Sequence, residues 1–223
     1  GDDWLSSAPR HMRMYEAFGW NPPLYGHLPT ILGPDRARYS KRHGATSVID
    51  YKEMGYLPDA MLNFLAIIGW SLDDHTEILS RQELVRSFSL DRVSISSAIF
   101  NQDKLDWMNG HYIRDLTNEG LLEQVLPLLQ KELPGYIQRP LDLNYLESII
   151  PLIRERLKTL TDVVGFCEMF LSEELEYDPT LLVAKGMDQA GTVRALQVTR
   201  DRVDGLNLFD AKTIEDAIRP IAA

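Results

Sequence analysis

Four positively charged side chains lie between positions 36 and 42 with no acidic residue among them: Arg36, Arg38, Lys41 and Arg42. Gly33-Pro34-Asp35 precedes this run and Gly44 follows it, so the sequence predicts a loop that presents charge. Ammonium and guanidinium groups neutralise anionic oxygens, and the hydroxyl of Ser40 adds a hydrogen-bond donor. These residue types favour a polyphosphate ligand, and a solvated surface loop is the alternative that a short basic run leaves open.

Other reactive residue types are isolated. His27, His43 and His111 have no partner at the spacing of metal ligands, so we expect packing or surface roles for them and no metal site. Cys167 lies on an apolar helix face and should be a small buried hydrophobe. The sequence has no glycine-rich phosphate loop of either common type. The basic segment at 36–42 is therefore the main candidate for chemistry.

A second basic pair, Arg154 and Arg156, follows an apolar stripe. Two residues apart on a helix, the side chains point in different directions, so at most one of them follows the stripe. An arginine can offer a two-pronged donor edge to an unstacked base, which is how single-stranded RNA is usually read. The alternative is a surface arginine paired with Glu155 or Asp162.

Helical signals dominate the segments that must position these residues. Pro58 is expected in the first turn of one helix, the pair Ser80 and Glu83 forms a capping box, and Asn101 precedes another helix. In the first of these helices, the spacing predicts a core-facing side formed by Met61, Leu62, Leu65, Ala66 and Ile68. Strands are poorly supported in this region.

From about residue 116 onward, the pattern predicts one helix after another. Three apolar stripes have helical spacing. They are Leu121, Leu122, Val125 and Leu129; Tyr145, Leu146, Ile149, Ile150, Ile153 and Leu157; and Leu160, Val163, Val164, Cys167 and Leu171. Pro127 and Pro151 should kink or interrupt two of these helices, and Asp178 and Asp210 should cap two more. The predicted fold is mainly α, with an all-α bundle in this half.

Composition narrows the classes of function. The 223 residues include 23 basic and 33 acidic side chains, and this formal net charge of −10 argues against a protein that coats nucleic acid through bulk charge. The single cysteine excludes an intramolecular disulfide and an all-cysteine zinc site, and it fits a reducing compartment such as the cytoplasm. Because no apolar run approaches the roughly 20 residues that span a bilayer, we expect no membrane segment.

The basic segment has a recognisable order of residues. Arg38-Tyr39-Ser40-Lys41-Arg42 resembles the Lys-Met-Ser-Lys-Ser signature of class I aminoacyl-tRNA synthetases, in the Lys-Leu-Ser-Lys-Arg form of the glutamyl enzymes. Four further blocks are similar to bacterial-type glutamyl-tRNA synthetases and occur in the same order: 1–9, 15–20, 27–29 and 100–114. The resemblance is densest over 1–115 and rests mainly on the helical pattern beyond.

The resemblance implies a role for each matching residue. Lys41 matches the signature lysine that neutralises the ATP phosphates as pyrophosphate leaves, while Arg38 matches the first lysine and Ser40 the serine. These three are the candidate catalytic residues. A cation on a mobile loop stabilises the charge that builds up on the departing oxygens, so it acts more on the transition state than on the ground state. Arginine in place of lysine keeps the charge but changes its shape.

Further positions match the family's ATP and tRNA sites. Asp3 and Trp4 match positions beside the ATP site, and Ile31 matches a position whose backbone reads the adenine. Arg156 matches an arginine that in some members contacts the last anticodon base and favours glutamate tRNA over glutamine tRNA, and Arg154 is the second candidate tRNA-binding residue. The alternative for Trp4 is an ordinary core tryptophan.

The resemblance also implies a division of the chain. We expect the end of a Rossmann-type catalytic domain at 1–32, a helical stem-contact region with the signature loop at 33–115, and two helical anticodon-binding subdomains at 116–178 and 179–223. The family's His-Ile-Gly-His type signature, its acceptor-arm insertion and its glutamate pocket are absent from these residues. We therefore expect a piece of a longer enzyme, inactive on its own.

The expected partners follow from the same resemblance. The longer enzyme would use ATP with Mg²⁺ and L-glutamate to charge glutamate tRNA in the cytoplasm as a monomer, without binding DNA, and this piece would hold no cofactor tightly. Charging of glutamine tRNA as well stays open. The alternative is a non-catalytic RNA-binding or protein-interaction module derived from a synthetase, although such a module has no need to keep Ser40 and Lys41.

Overall fold

The computed structural model describes residues 2–44, 47–173 and 177–221, and the Asp3 side chain lies outside this described part. The α-helices are α1 (Ala8–Ala17), α2 (Val48–Glu53), α3 (Pro58–Ile67), α4 (Arg81–Ser87), α5 (Gln102–Asp115), α6 (Asn118–Glu132), α7 (Leu143–Ile153), α8 (Val163–Leu171), α9 (Gln189–Asp204) and α10 (Ala211–Ile218). Short 3-10 helices span Asp2–Trp4, Lys41–His43, Leu90–Arg92, Arg154–Arg156, Leu160–Asp162, Pro179–Leu182 and Arg219–Ile221. Over the described ranges, β-structure is limited to isolated bridges, which confirms the mainly α fold.

The chain divides into two compact units, Gly1–Ser172 and Glu173–Ala223. In the second unit, α10 packs against α9. The predicted caps at Asp178 and Asp210 are confirmed, because each carboxylate accepts a hydrogen bond from a backbone N–H in the first turn that follows it. A carboxylate at that position also interacts favourably with the positive end of the helix dipole.

The largest core of the first unit lies among α6, α7 and α8. Its buried apolar residues are Leu57, Ala60, Ile113, Leu121, Val125, Leu129, Leu133, Ile137, Leu146, Ile149, Ile150, Ile153, Leu157, Val163 and Cys167. Burial raises the pKa of the Cys167 thiol to about 11, so this side chain is a neutral hydrophobe, as predicted. The three predicted stripes supply most of this core because they are spaced to cover one face of each helix.

A second core lies beneath the basic loop. It consists of Tyr51, Tyr56, Met61, Phe64, Phe100, Leu105 and Met108. Helices α3 and α5 contribute to both cores, since α3 provides Ala60 to the first and Met61 to the second. These two helices therefore connect the core beneath the basic loop to the core of the helical bundle.

Two sequence predictions need correction. On α3, Leu62 and Leu65 are 39% and 43% exposed, because the helix turns Ala60, Met61 and Phe64 towards α5 instead. Of the two outcomes expected at Pro127 and Pro151, a kink or an interruption, the interruption is wrong, since each proline lies inside a continuous helix with its ring on an exposed position. The predicted starts at Pro58, at Ser80 with Glu83 and at Asn101 are confirmed.

A buried asparagine on α5 ties together segments that are far apart in the sequence. The Asn109 side chain is fully buried, accepts a hydrogen bond from the Leu57 N–H at 2.8 Å and donates one to the Lys158 carbonyl at 2.6 Å. Nearby, the Leu160 N–H donates to the Gly55 carbonyl at 2.9 Å. Gly55 has φ of +86°, and a Cβ there would lie 2.7 Å from a backbone nitrogen, so only glycine fits.

We expect Asn109→Ala to lower the free energy of unfolding by roughly 2 to 4 kcal/mol, because it leaves the buried Leu57 N–H and the part-buried Lys158 carbonyl without this partner. Urea unfolding followed by circular dichroism measures the change. Asn144→Ala, at an exposed position near the start of α7, is the matched control and should change stability by about 0.5 kcal/mol or less. Equal effects of the two substitutions would contradict the bridging role of Asn109.

Candidate functional site

The base of the basic loop is anchored through one residue. Leu32 forms an antiparallel bridge with Arg38 across the loop and a parallel bridge with Ile99. Its N–H donates to the Ala98 carbonyl at 2.9 Å, and its carbonyl accepts from the Phe100 N–H at 2.8 Å. The loop is therefore fixed to the segment that leads into α5.

The tip of the loop is a tight turn, as Gly33-Pro34-Asp35 predicts. The Arg36 N–H donates to the Gly33 carbonyl at 2.9 Å, and the Gly33 N–H donates to the Ala37 carbonyl at 2.7 Å. Arg36 has φ of +61°, a left-handed conformation that costs a non-glycine residue about 1 to 2 kcal/mol. The side chains of Arg36 and Arg38 are both exposed on this turn.

An aromatic stack seats the loop on the core. Tyr39 stacks on Phe100 with ring centroids 4.4 Å apart, and its hydroxyl lies 3.0 Å from the hydroxyl of Tyr51. Burial, followed by this hydrogen bond, raises the pKa of Tyr51. Tyr39, where the family signature has methionine or leucine, thus has a structural reason: its ring stacks on Phe100, and its hydroxyl reaches the buried Tyr51.

Ser40 caps the short 3-10 helix Lys41–His43 that carries the signature lysine. Its N–H donates to Nδ1 of His43 at 3.0 Å, and its Oγ lies 3.4 Å from the same nitrogen. On the other side of the imidazole ring, Nε2 lies 3.1 Å from Oδ1 of Asp35. A Cβ on Gly33 would lie 2.8 Å from this ring, so glycine there makes room for His43.

One acidic residue lies among the cations of the loop in space. Asp35 pairs with Arg42 at 3.2 Å through Oδ2 and accepts the Ala37 N–H and the His43 ring through Oδ1. The Ala37 hydrogen bond, followed by that of His43, holds the pKa of the Asp35 carboxyl below its usual value. Lys41 is exposed, and no ion pair within the described part of the chain involves it. The ammonium group of Lys41 is therefore available to an anionic ligand.

The expected ATP-site positions lie in different surroundings. Ile31 adjoins the loop, because its carbonyl accepts the Tyr39 N–H at 2.9 Å. Trp4 is 61% exposed, which contradicts an ordinary core tryptophan, and its 3-10 helix is tied to the following segment by the Asp2 N–H, which donates to the Leu28 carbonyl at 3.1 Å. The Asp3 side chain lies outside the described residues. The structure thus brings Ile31 to the signature loop.

The second basic pair lies in the 3-10 helix that follows α7. The Arg154 side chain is half-buried and donates to Oδ1 of Asn118, while Arg156 is exposed. The acidic residues expected to pair with Arg156 have other partners: Glu155 lies 3.9 Å from Arg114, and Asp162 accepts the backbone N–H groups of Lys158 and Thr159. Arg156 is therefore a solvent-facing guanidinium, whereas Arg154 is half-buried and bonded to Asn118.

Among the residues that the structure describes, no group of three or more histidine, cysteine, aspartate or glutamate side chains could hold a metal ion. No described helix is long and apolar enough to cross a membrane.

Sequence reasoning missed the role of His43. The imidazole is only 9% exposed and hydrogen-bonds at both nitrogens, so it is a packed histidine, but one that is built into the candidate site. A local signal was present, because His43 stands three residues after Ser40, where a capping-box partner lies.

Comparisons with known proteins agree with this architecture. Residues 1–107 match the family of class I tRNA synthetases (E and Q), catalytic domain, and residues 120–223 match an anticodon-binding domain family. A glutamate–tRNA ligase of Dehalococcoides mccartyi is 46% identical over 222 residues, which are 100% of this chain and 46% of that protein. The glutamate–tRNA ligase of Roseiflexus castenholzii is 45% identical over 222 residues, which are 99% of this chain and 44% of that protein.

A solved structure gives the same result in three dimensions. The crystal structure of a glutamate tRNA ligase from Elizabethkingia meningosepticum in complex with its amino acid matches with a TM-score of 0.76 at 28% identity, covering 100% of this chain and 46% of that one. The chain thus spans about half the length of the relatives it matches. The two domain matches and the relatives together show that the chain is homologous over its whole length to part of glutamate–tRNA ligases, with the class I catalytic-domain match followed by the anticodon-binding match.

Proposed function

We propose that this chain is the part of a glutamate–tRNA ligase that holds the ATP-phosphate loop and the contacts to the tRNA stem and anticodon. The ligase activates glutamate with ATP and transfers it to glutamate tRNA. The observation that carries the proposal is the exposed Lys41 next to Ser40, on a loop whose acidic residue is already paired with Arg42. That arrangement leaves a cation for phosphate in an otherwise acidic chain.

The chemistry of the loop follows from its charges. When glutamate attacks the α-phosphate of ATP, negative charge moves onto the departing pyrophosphate. The Lys41 ammonium, with Arg38 on the same loop and Ser40 as a hydroxyl donor, stabilises those oxygens. Mg²⁺ would enter with ATP and neutralise part of the phosphate charge. Asp3 and Trp4 would lie beside the nucleotide, and the Ile31 backbone would contact the adenine.

The RNA contacts belong to the helical half. Arg156 would present its guanidinium to an unstacked anticodon base, and Arg154 would hold the segment in place through Asn118. The proposed divisions are the catalytic end at 1–32, the stem-contact region at 33–115 and anticodon-binding subdomains at 116–178 and 179–223. The ligase would act as a cytoplasmic monomer.

The direct test is aminoacylation by the full-length protein that contains this chain. We expect it to form glutamyl-tRNA from glutamate, ATP and glutamate tRNA, with release of pyrophosphate. Radiolabelled glutamate on acid-precipitated tRNA measures the product. RNA binding without any glutamylation would support the alternative, a non-catalytic module, and would contradict the ligase.

A further inference from the structure

The imidazole of His43 lies between two parts of the signature loop, the residue before Lys41 and the tip of the turn. On one side is Ser40, which begins the 3-10 helix of Lys41, and on the other is Asp35 at the tip of the turn. The ring is almost fully buried and packs over Gly33, with Tyr39 stacked on it at 5.5 Å between centroids. Such a ring has little freedom to turn.

The hydrogen bonds determine which nitrogen carries the hydrogen. The Ser40 N–H cannot give up its hydrogen, so Nδ1 of His43 must accept, and the hydrogen of the neutral ring is on Nε2. That Nε2–H then donates to Oδ1 of Asp35. Two hydrogen bonds thus link Ser40 to His43 and His43 to Asp35, and in each of them an N–H donor faces an acceptor.

From this geometry we propose that His43 is a positioning residue: it holds Ser40 and thereby fixes Lys41 where the loop binds pyrophosphate oxygens. The proposal rests on the proposed function for its place in the reaction, but it makes a claim about the loop itself. The backbone of a catalytic loop must be held to within a fraction of an ångström, and a supporting hydrogen bond to the residue before Lys41 provides that.

Substitutions of His43 by asparagine and by glutamine separate the two contacts of the ring. His43→Asn places an amide oxygen near the position of Nδ1, so the acceptor for the Ser40 N–H is kept and the contact with Asp35 is lost. His43→Gln reaches towards Asp35 but removes the acceptor for Ser40. His43→Ala removes both. Asp35→Asn keeps the accepting Oδ1 and removes the charge paired with Arg42. This variant separates the effect of the Asp35 charge from that of its hydrogen bonds.

The first measurement uses this chain as it stands and inorganic pyrophosphate as the probe. We expect His43→Ala to weaken pyrophosphate binding about 5- to 20-fold, as Lys41→Ala does, and the double variant to be no weaker than Lys41→Ala alone. His43→Asn should restore most of the affinity and His43→Gln should not. Titration calorimetry gives the constants, and nitrogen NMR of the ring should show the Nε2–H form.

The second measurement separates this proposal from the proposed function. In the full-length protein, His43→Ala should lower kcat for pyrophosphate exchange about 10- to 100-fold, while KM for ATP changes less than about threefold. Melting temperatures identify variants that are merely unfolded. Absence of pyrophosphate binding by the wild-type chain, additive losses in the double variant, or equal rescue by Asn and Gln would overturn the role of His43. If the full-length protein forms no glutamyl-tRNA but pyrophosphate binding still depends on His43, only the proposed ligase activity would be overturned.

Discussion

Lys41→Ala in the full-length protein should slow pyrophosphate exchange by about 100- to 1,000-fold, with a much smaller change in KM for ATP. In the proposed function, the Lys41 ammonium contributes most when charge has moved onto the leaving oxygens. Lys41 is exposed and has no ion pair among the described residues, so the substitution breaks no described ion pair. The loss therefore measures catalysis and leaves the fold unchanged.

Matched variants sharpen this expectation. Lys41→Arg keeps the charge on a different shape and should recover part of the rate. Lys52→Ala removes an exposed lysine from α2, outside the loop, and should leave exchange unchanged. Exchange is measured as labelled pyrophosphate entering ATP, with glutamate and tRNA present. A near-normal rate for Lys41→Ala would contradict the role given to this residue.

Local chemistry made much of the fold predictable. The cap at Asn101, the capping box of Ser80 and Glu83 and the turn at Gly33-Pro34-Asp35 depend on neighbours within a few residues, and the structure has each of them. The apolar stripes of the helical half depend on spacing along one helix, which the sequence displays directly. The basic loop, too, could be located from its own residues.

Features set by distant parts of the chain were not predictable in this way. Which side of α3 is buried depends on where α5 packs, and for that reason the prediction for Leu62 and Leu65 is wrong. Asn109 bonds to Leu57, 52 positions away, so nothing in its neighbourhood shows that it is a bridge. Ion-pair partners are also set by the fold: Glu155 lies near Arg114, 41 positions away, and Arg156 is exposed.

That exposure makes Arg156→Glu the most informative change in the helical half. We expect kcat/KM for charging glutamate tRNA to fall about 10- to 100-fold, because an arginine that reads a base through two donors contributes about 1 to 3 kcal/mol and the glutamate adds repulsion. Discrimination against glutamine tRNA should fall as well. Pyrophosphate binding to the chain should not change, since Arg156 is outside the basic loop at 36–42.

The control for Arg156→Glu is Lys158→Glu, which reverses the same charge at another exposed position two residues further along the chain. The Lys158 carbonyl accepts from Asn109, so its backbone is held in place while its side chain is exposed. A general loss of attraction for RNA would make both variants equally weak and equally sensitive to salt, without altering selectivity between the two tRNAs. Base reading by Arg156 requires instead that its variant lose selectivity and that Lys158→Glu keep it. Charging assays with glutamate and glutamine tRNA, at two salt concentrations, distinguish these results.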